Sequence, residues 1–131
     1  MKSYIVINSV GRTVEVEDEV VKLTPKEFLM LEVILNFSHG KDTMDLEHLI
    51  QYVWMDRYRS ITANNVSQLF SRVRKKLYNV SGYLDLKRMP NGMICAIIKD
   101  GTEILWNEKP PKRYLLITHI YNYLKKLQIK L

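Results

Sequence analysis

Residues Ile61 to Leu77 constrain this chain more than any other stretch, because they read as one amphipathic helix whose polar side suits a polyanion. An advance of about 100° per residue gathers Val66, Leu69, Phe70, Val73 and Leu77 into a sector of roughly 100°, the width of a core-facing stripe. Opposite that stripe fall Asn64, Gln68, Ser71, Arg72 and Lys75, with no acidic residue among them. Amides, hydroxyls and cations interleaved in this way suit base edges and phosphates when a helix lies in a DNA major groove. An ordinary solvated helix surface would instead alternate Glu and Lys.

The flanking sequence says what this helix packs against. The first 23 residues alternate like short strands: Tyr4 to Asn8, then Arg12 to Glu17, then Val20 to Leu23, separated by turns at Ser9-Val10-Gly11 and Glu17-Asp18-Glu19. A small antiparallel sheet is the economical arrangement. Thr24-Pro25-Lys26-Glu27 then opens a helix with Thr24 as N-cap, Pro25 where a missing N–H is harmless, and Glu27 closing a capping box. From Pro25 to about Ser38 that helix is apolar nearly all round and is expected at the centre of the fold, with Gly40 ending it. Asp45 caps a second helix, Leu46 to Trp54, and the polar stretch 55–60 leads into the third, spanning 62–78. Beyond a break at residues 78–82, two strands flank Pro90-Asn91-Gly92 and predict a hairpin over 84–98; Pro90 favours a loop longer than two residues. Thr102 to Trp106 adds a short strand. The fold class is α+β: an N-terminal antiparallel sheet, a three-helix core and a C-terminal β-hairpin, with residues 1–106 as one domain and 107–131 as a basic linker and an extra C-terminal amphipathic helix.

A chain of 131 residues, 47% hydrophobic, suffices for one cored domain. Its net charge of +6 is unevenly spread. Residues 1–50 hold nine acidic and five basic side chains, 51–80 one acidic and six basic, and 109–131 six basic and no acidic. Positive charge thus gathers on the 61–77 helix and the C-terminal segment, which favours nucleic acid or an acidic surface as partner. The single cysteine, Cys95, excludes an intrachain disulfide and reads as a buried strand residue. With no signal-peptide pattern and no apolar run of membrane-spanning length, a cytoplasmic location is expected. Enzyme readings find no support: His39, His48 and His119 lack metal-ligand spacing, and neither a Gly-rich phosphate loop nor a nucleophile–base pattern is present. No catalysis, cofactor or metal is expected.

Taken in order, Val21 to Leu31, Leu49 to Trp54 and Val66 to Leu77 resemble the winged-helix DNA-binding domain of the OmpR/PhoB family of bacterial response regulators, over roughly residues 12–98. The resemblance implies a winged helix-turn-helix in which the third helix is the recognition helix, the hairpin is the wing, and Asp56, Arg57, Tyr58 and Arg59 lie on a loop that touches RNA polymerase. It further implies base contacts from Ser67, Gln68, Ser71 and Arg72 and phosphate contacts from Asn64, Asn65, Arg74 and Lys75. The helical wheel reaches Gln68, Ser71, Arg72 and Lys75 independently. At the wing the match loosens: many members carry Arg-Gly-x-Gly-Tyr, whereas this chain has Lys87, Arg88, Met89, Pro90, Asn91, Gly92 and Met93, an order similar to the ToxR branch. The wing candidates are Lys87, Arg88 and Asn91, with Arg88 nearest to a minor-groove cation. No receiver domain precedes residue 1, so the expectation is a standalone domain without phosphorylation control in this chain.

The expected partner is double-stranded DNA, with RNA polymerase as a second. In the C-terminal segment, Ile117, Ile120, Leu124, Leu127 and Leu131 recur at helical spacing with Lys125, Lys126 and Lys130 outside. Three roles stay open for it: packing on the domain, pairing with another copy as a homodimer, or binding another protein. The alternative to a sequence-specific transcriptional regulator is a winged-helix protein-interaction module or co-regulator that does not bind DNA by itself. Single-stranded RNA binding is less favoured, since few exposed aromatics are expected on the sheet.

Overall fold

A computed structural model describes residues 2–37 and 43–107. Three strands open the chain: β1 (Ser3–Asn8), β2 (Thr13–Val16) and β3 (Glu19–Lys22), paired antiparallel in sequence order. The turn between β1 and β2 is set by Asn8, whose Oδ1 accepts the N–H groups of Val10 and Gly11, each at 3.0 Å. Strict alternation follows from the pleat: Ile5, Ile7, Val14, Val16 and Val21 point inward, while Tyr4, Glu15 and Val20 are exposed.

Helix α1 (Pro25–Phe37) begins as its sequence dictates. The Glu27 N–H donates to Thr24 Oγ1 at 3.3 Å, and the Thr24 N–H donates back to Glu27 Oε1 at 2.8 Å. All residues from Glu27 to Leu35 are buried, so α1 is the central helix. Helix α2 (Leu46–Trp54) is capped by Asp45, which accepts the His48 N–H at 2.8 Å. A 3-10 helix, Met55–Ser60, joins it to α3 (Ala63–Lys76), and a shorter one, Tyr78–Val80, follows α3. Strands β4 (Leu84–Arg88) and β5 (Ile94–Ile98) form an antiparallel hairpin across the five residues 89–93, the longer loop that Pro90 favours. Cys95 is buried in β5. An extra bridge, Met44 to Ile94 with both backbone hydrogen bonds at 2.8 Å, fastens the hairpin to the segment entering α2.

The N-terminal sheet differs from the expectation in one respect. Strand β6 (Thr102–Trp106) adds to it beside β1, in parallel, so the sheet is four-stranded and mixed, in the order β3-β2-β1-β6. The Asp100-Gly101 turn, with Gly101 at φ 79°, delivers β6 back to β1, and burial of Ile104 and Trp106 against the core holds it there. One cluster of buried side chains joins both sheets and all three helices. This is the winged helix, with sheet, three helices and C-terminal hairpin in the expected order. The expected stop at Gly40 and the expected helix after 107 lie outside the described residues. Among the described residues, no helix is long and apolar enough to cross a membrane.

Candidate nucleic-acid interface

Helix α3 is fixed at its start by a second capping box. Thr62 Oγ1 accepts the Asn65 N–H at 3.2 Å, while Asn65 Oδ1 accepts the Thr62 N–H at 3.0 Å. The family resemblance implies a phosphate contact for Asn65; in the fold its carbonyl oxygen is engaged in the cap, and its amide nitrogen is the atom that can face an anion. The apolar stripe lies where the wheel puts it, with Val66, Leu69, Phe70, Val73 and Leu77 buried. The opposite side is open. Asn64, Gln68, Ser71, Arg72 and Lys75 are exposed and Ser67 partly so. Asn64, Ser67, Gln68, Ser71 and Arg72 together line one shallow, open depression.

Beneath this face sits a carboxylate whose local spacing shows only a cap, Glu27. Glu27 is 2% exposed, and its Oε1 accepts Lys76 Nζ at 2.6 Å while Oε2 lies 4.0 Å from Arg72 Nε. Burial alone would push its carboxyl up; the bond from Lys76, with the two Thr24 bonds, outweighs that and leaves it below its ordinary value. The arrangement ties the first turn of α1 to the last turns of α3 and sets Glu27 near the Nε of the Arg72 guanidinium, while the Arg72 side chain remains 63% exposed. The signal available in sequence was a capping-box Glu with an arginine- and lysine-rich helix downstream; their proximity was not.

Two contacts seat the hairpin against α3. Arg88 Nη1 donates to Ser67 Oγ at 2.9 Å, and Arg74 Nε lies 3.5 Å from Asp85 Oδ1. Arg88 therefore braces the wing against the first half of α3, and Arg74 sits on the flank that meets β4. Lys87 is exposed on β4. Asn91 is exposed at the tip, with Oδ1 accepting the Met93 N–H at 3.0 Å, and Gly92 at φ 85° completes the turn. The stretch 55–60, expected as a loop, is a 3-10 helix closed by Ser60 Oγ donating to the Arg57 carbonyl at 2.9 Å. Arg57 and Arg59 are exposed on it, and Arg59 stacks on Tyr58, Nε to OH 3.2 Å. Asp56 lies in the same turn. The predicted residues therefore gather in two places, the α3 face with its flanking hairpin and the separate 55–60 turn.

A helix-turn-helix whose second helix presents such a face beside a β-hairpin defines a winged-helix DNA-binding domain. The family model described as "Transcriptional regulatory protein, C terminal", the OmpR/PhoB-type DNA-binding domain, matches residues 18–86, more than half of the chain. The chain belongs to that family, which is one of DNA-binding transcriptional regulators and not of enzymes. The match spans β3 to the middle of β4 and ends before the wing tip. A search of curated proteins found no match.

Proposed function

We propose that the protein regulates transcription by reading a specific duplex sequence with α3 in the major groove. The observation that carries this reading is the depression formed by Asn64, Ser67, Gln68, Ser71 and Arg72, a row of hydrogen-bonding groups without an acid on the exposed face of a helix anchored at both ends. The Gln68 amide suits a bidentate pair with adenine and the Arg72 guanidinium one with guanine, each worth about 1–3 kcal/mol of discrimination. Ser67 and Ser71 supply hydroxyls that suit either base. Asn64, the amide of Asn65, Arg74 and Lys75 hold phosphates along the groove and set the salt dependence. The wing contributes through Lys87 and through Arg88, which positions Ser67; a tip bearing Asn91 and no cation argues against insertion of charge into the minor groove. The 55–60 turn, which exposes Arg57 and Arg59, is the surface offered to RNA polymerase. Selection from a random duplex pool with the purified protein tests the reading: it should enrich one motif, repeated if two copies bind. Enrichment of no sequence, with no duplex binding at micromolar protein in low salt, would favour the protein-interaction module instead.

A further inference from the structure

Ser67 and Ser71 look alike in the sequence and differ in the fold. Ser71 is exposed, and its hydroxyl has no hydrogen-bond partner among the described residues, so it is free to turn and either donate to a base edge or accept from one. Ser67, one turn earlier, is partly buried beside the hairpin, and its Oγ accepts Arg88 Nη1 at 2.9 Å. The backbone holds Arg88 at that point. Its register partner Ile94 is 1% exposed and is bonded on its other side to Met44, both bonds 2.8 Å. Among the described residues no carboxylate lies within ion-pair distance of Arg88, whereas Arg74 on the neighbouring flank is met by Asp85. The guanidinium that reaches Ser67 therefore keeps its full charge.

We propose that Arg88 makes Ser67 a donor in the groove, so that Ser67 selects for a base that presents an acceptor and against cytosine. This rests on the reading of α3 as the element that enters the major groove. A serine hydroxyl has one proton and two acceptor lone pairs. The charged donor occupies one lone pair and draws electron density from the oxygen, which weakens the other lone pair as an acceptor and strengthens the O–H as a donor. Repulsion from the guanidinium hydrogens turns the hydroxyl proton away from Arg88, leaving it to the depression that Ser67 lines with Asn64, Gln68, Ser71 and Arg72. Guanine offers such a donor N7 and O6, adenine N7 and thymine O4; cytosine shows only its N4 amino group, a donor set against a donor. Without Arg88 the same hydroxyl can rotate to accept that amino group, as Ser71 can. The wing thus acts on sequence choice through a side chain of α3, without touching a base itself.

The test is competition anisotropy with the full chain, using the selected duplex and its single-base and single-atom variants. At one base pair, an analogue that lacks a groove acceptor (a 7-deazapurine, 2-aminopurine in place of guanine, or 4-thiothymine) should cost about tenfold in affinity. In Ser67→Ala the same analogue should cost nothing further. Arg88→Ala should narrow the rejection of cytosine at that pair from about tenfold to about twofold and leave preferences elsewhere as they were, and Arg88→Lys should restore it. An Arg88→Ala loss spread evenly over all positions, the effect of a brace alone, would overturn the proposal. So would a Ser67→Ala loss that is non-additive with removal of a base amino group, or a Ser67→Ala chain that keeps every preference; in these cases the α3 reading stands. Absence of any preferred duplex would overturn that reading and this inference together.

Discussion

Two side chains on α3 have separable effects. Arg72→Ala removes the bidentate group proposed for guanine and should relax preference at one base pair by about 1–3 kcal/mol, read by competition between single-base variants of the selected duplex. Lys75→Ala should instead weaken binding to all duplexes alike and lower the slope of log K against log salt by about one, read by anisotropy titrations at several salt concentrations. Glu27 acts from below. Its carboxyl is held below its ordinary value in the folded protein, so its contribution to stability is complete above the unfolded carboxylate value of about 4.3 and fades as pH falls through the lower folded one. Glu27→Gln should therefore destabilise the protein at neutral pH by about 1–3 kcal/mol and flatten the acid limb of the stability profile in denaturant titrations. An unchanged acid limb would mean that Lys76 and Thr24 do not govern this group. The sequence showed half of Glu27's role. Its bond to Thr24 spans three residues and is written in local spacing, whereas its bond to Lys76 spans 49 and exists only once α1 and α3 are packed.

Elements were legible where their ends are chemically marked. Asp45 placed the start of α2 and Thr24 that of α1, because a cap is a short-range hydrogen bond. For α3 the cap itself was hidden: Asn65 at the third position replaces the usual Glu or Gln, so the Thr62–Asn65 box looked like an open polar residue. Thr62→Ala should cost about 0.5–2 kcal/mol in thermal or denaturant unfolding, and affinity for DNA should fall as the first turn frays and takes Asn64 and Asn65 with it. The hairpin was visible from Pro90, Asn91 and Gly92, but its attachment was not, since Arg88 to Ser67 crosses 21 residues. Arg88→Ala removes an exposed bond; stability should change by less than about 1 kcal/mol. Its affinity loss, by anisotropy, should be the same on A·T-rich and G·C-rich flanks if, as proposed, Arg88 serves to brace α3. A loss confined to A·T-rich flanks would restore Arg88 to a minor-groove role.

At the scale of the whole molecule, hydrophobic alternation specified which face of each early strand is buried but not which strand completes the sheet. Thr102–Trp106 carries the same pattern as any half-buried strand, and its parallel place beside β1 is decided about a hundred residues away, by the closure of the core around Ile104 and Trp106. The consequence is a molecule with two distinct surfaces: an α3 face of amides, hydroxyls and cations braced by the hairpin, and a sheet whose outer side mixes Tyr4, Val6, Val20 and Leu105 with Glu15, Lys22 and the Lys2–Glu103 ion pair. The central claim concerns the first of these. Backbone chemical shifts of the full chain, followed as a duplex carrying the selected motif is added, test it most directly. The largest changes should fall on residues 64–75, with smaller ones on 87–93 and none across the outer face of β1 to β3. Changes centred on the sheet or on 55–60, with 64–75 undisturbed, would contradict the assignment of α3 as the element that reads DNA.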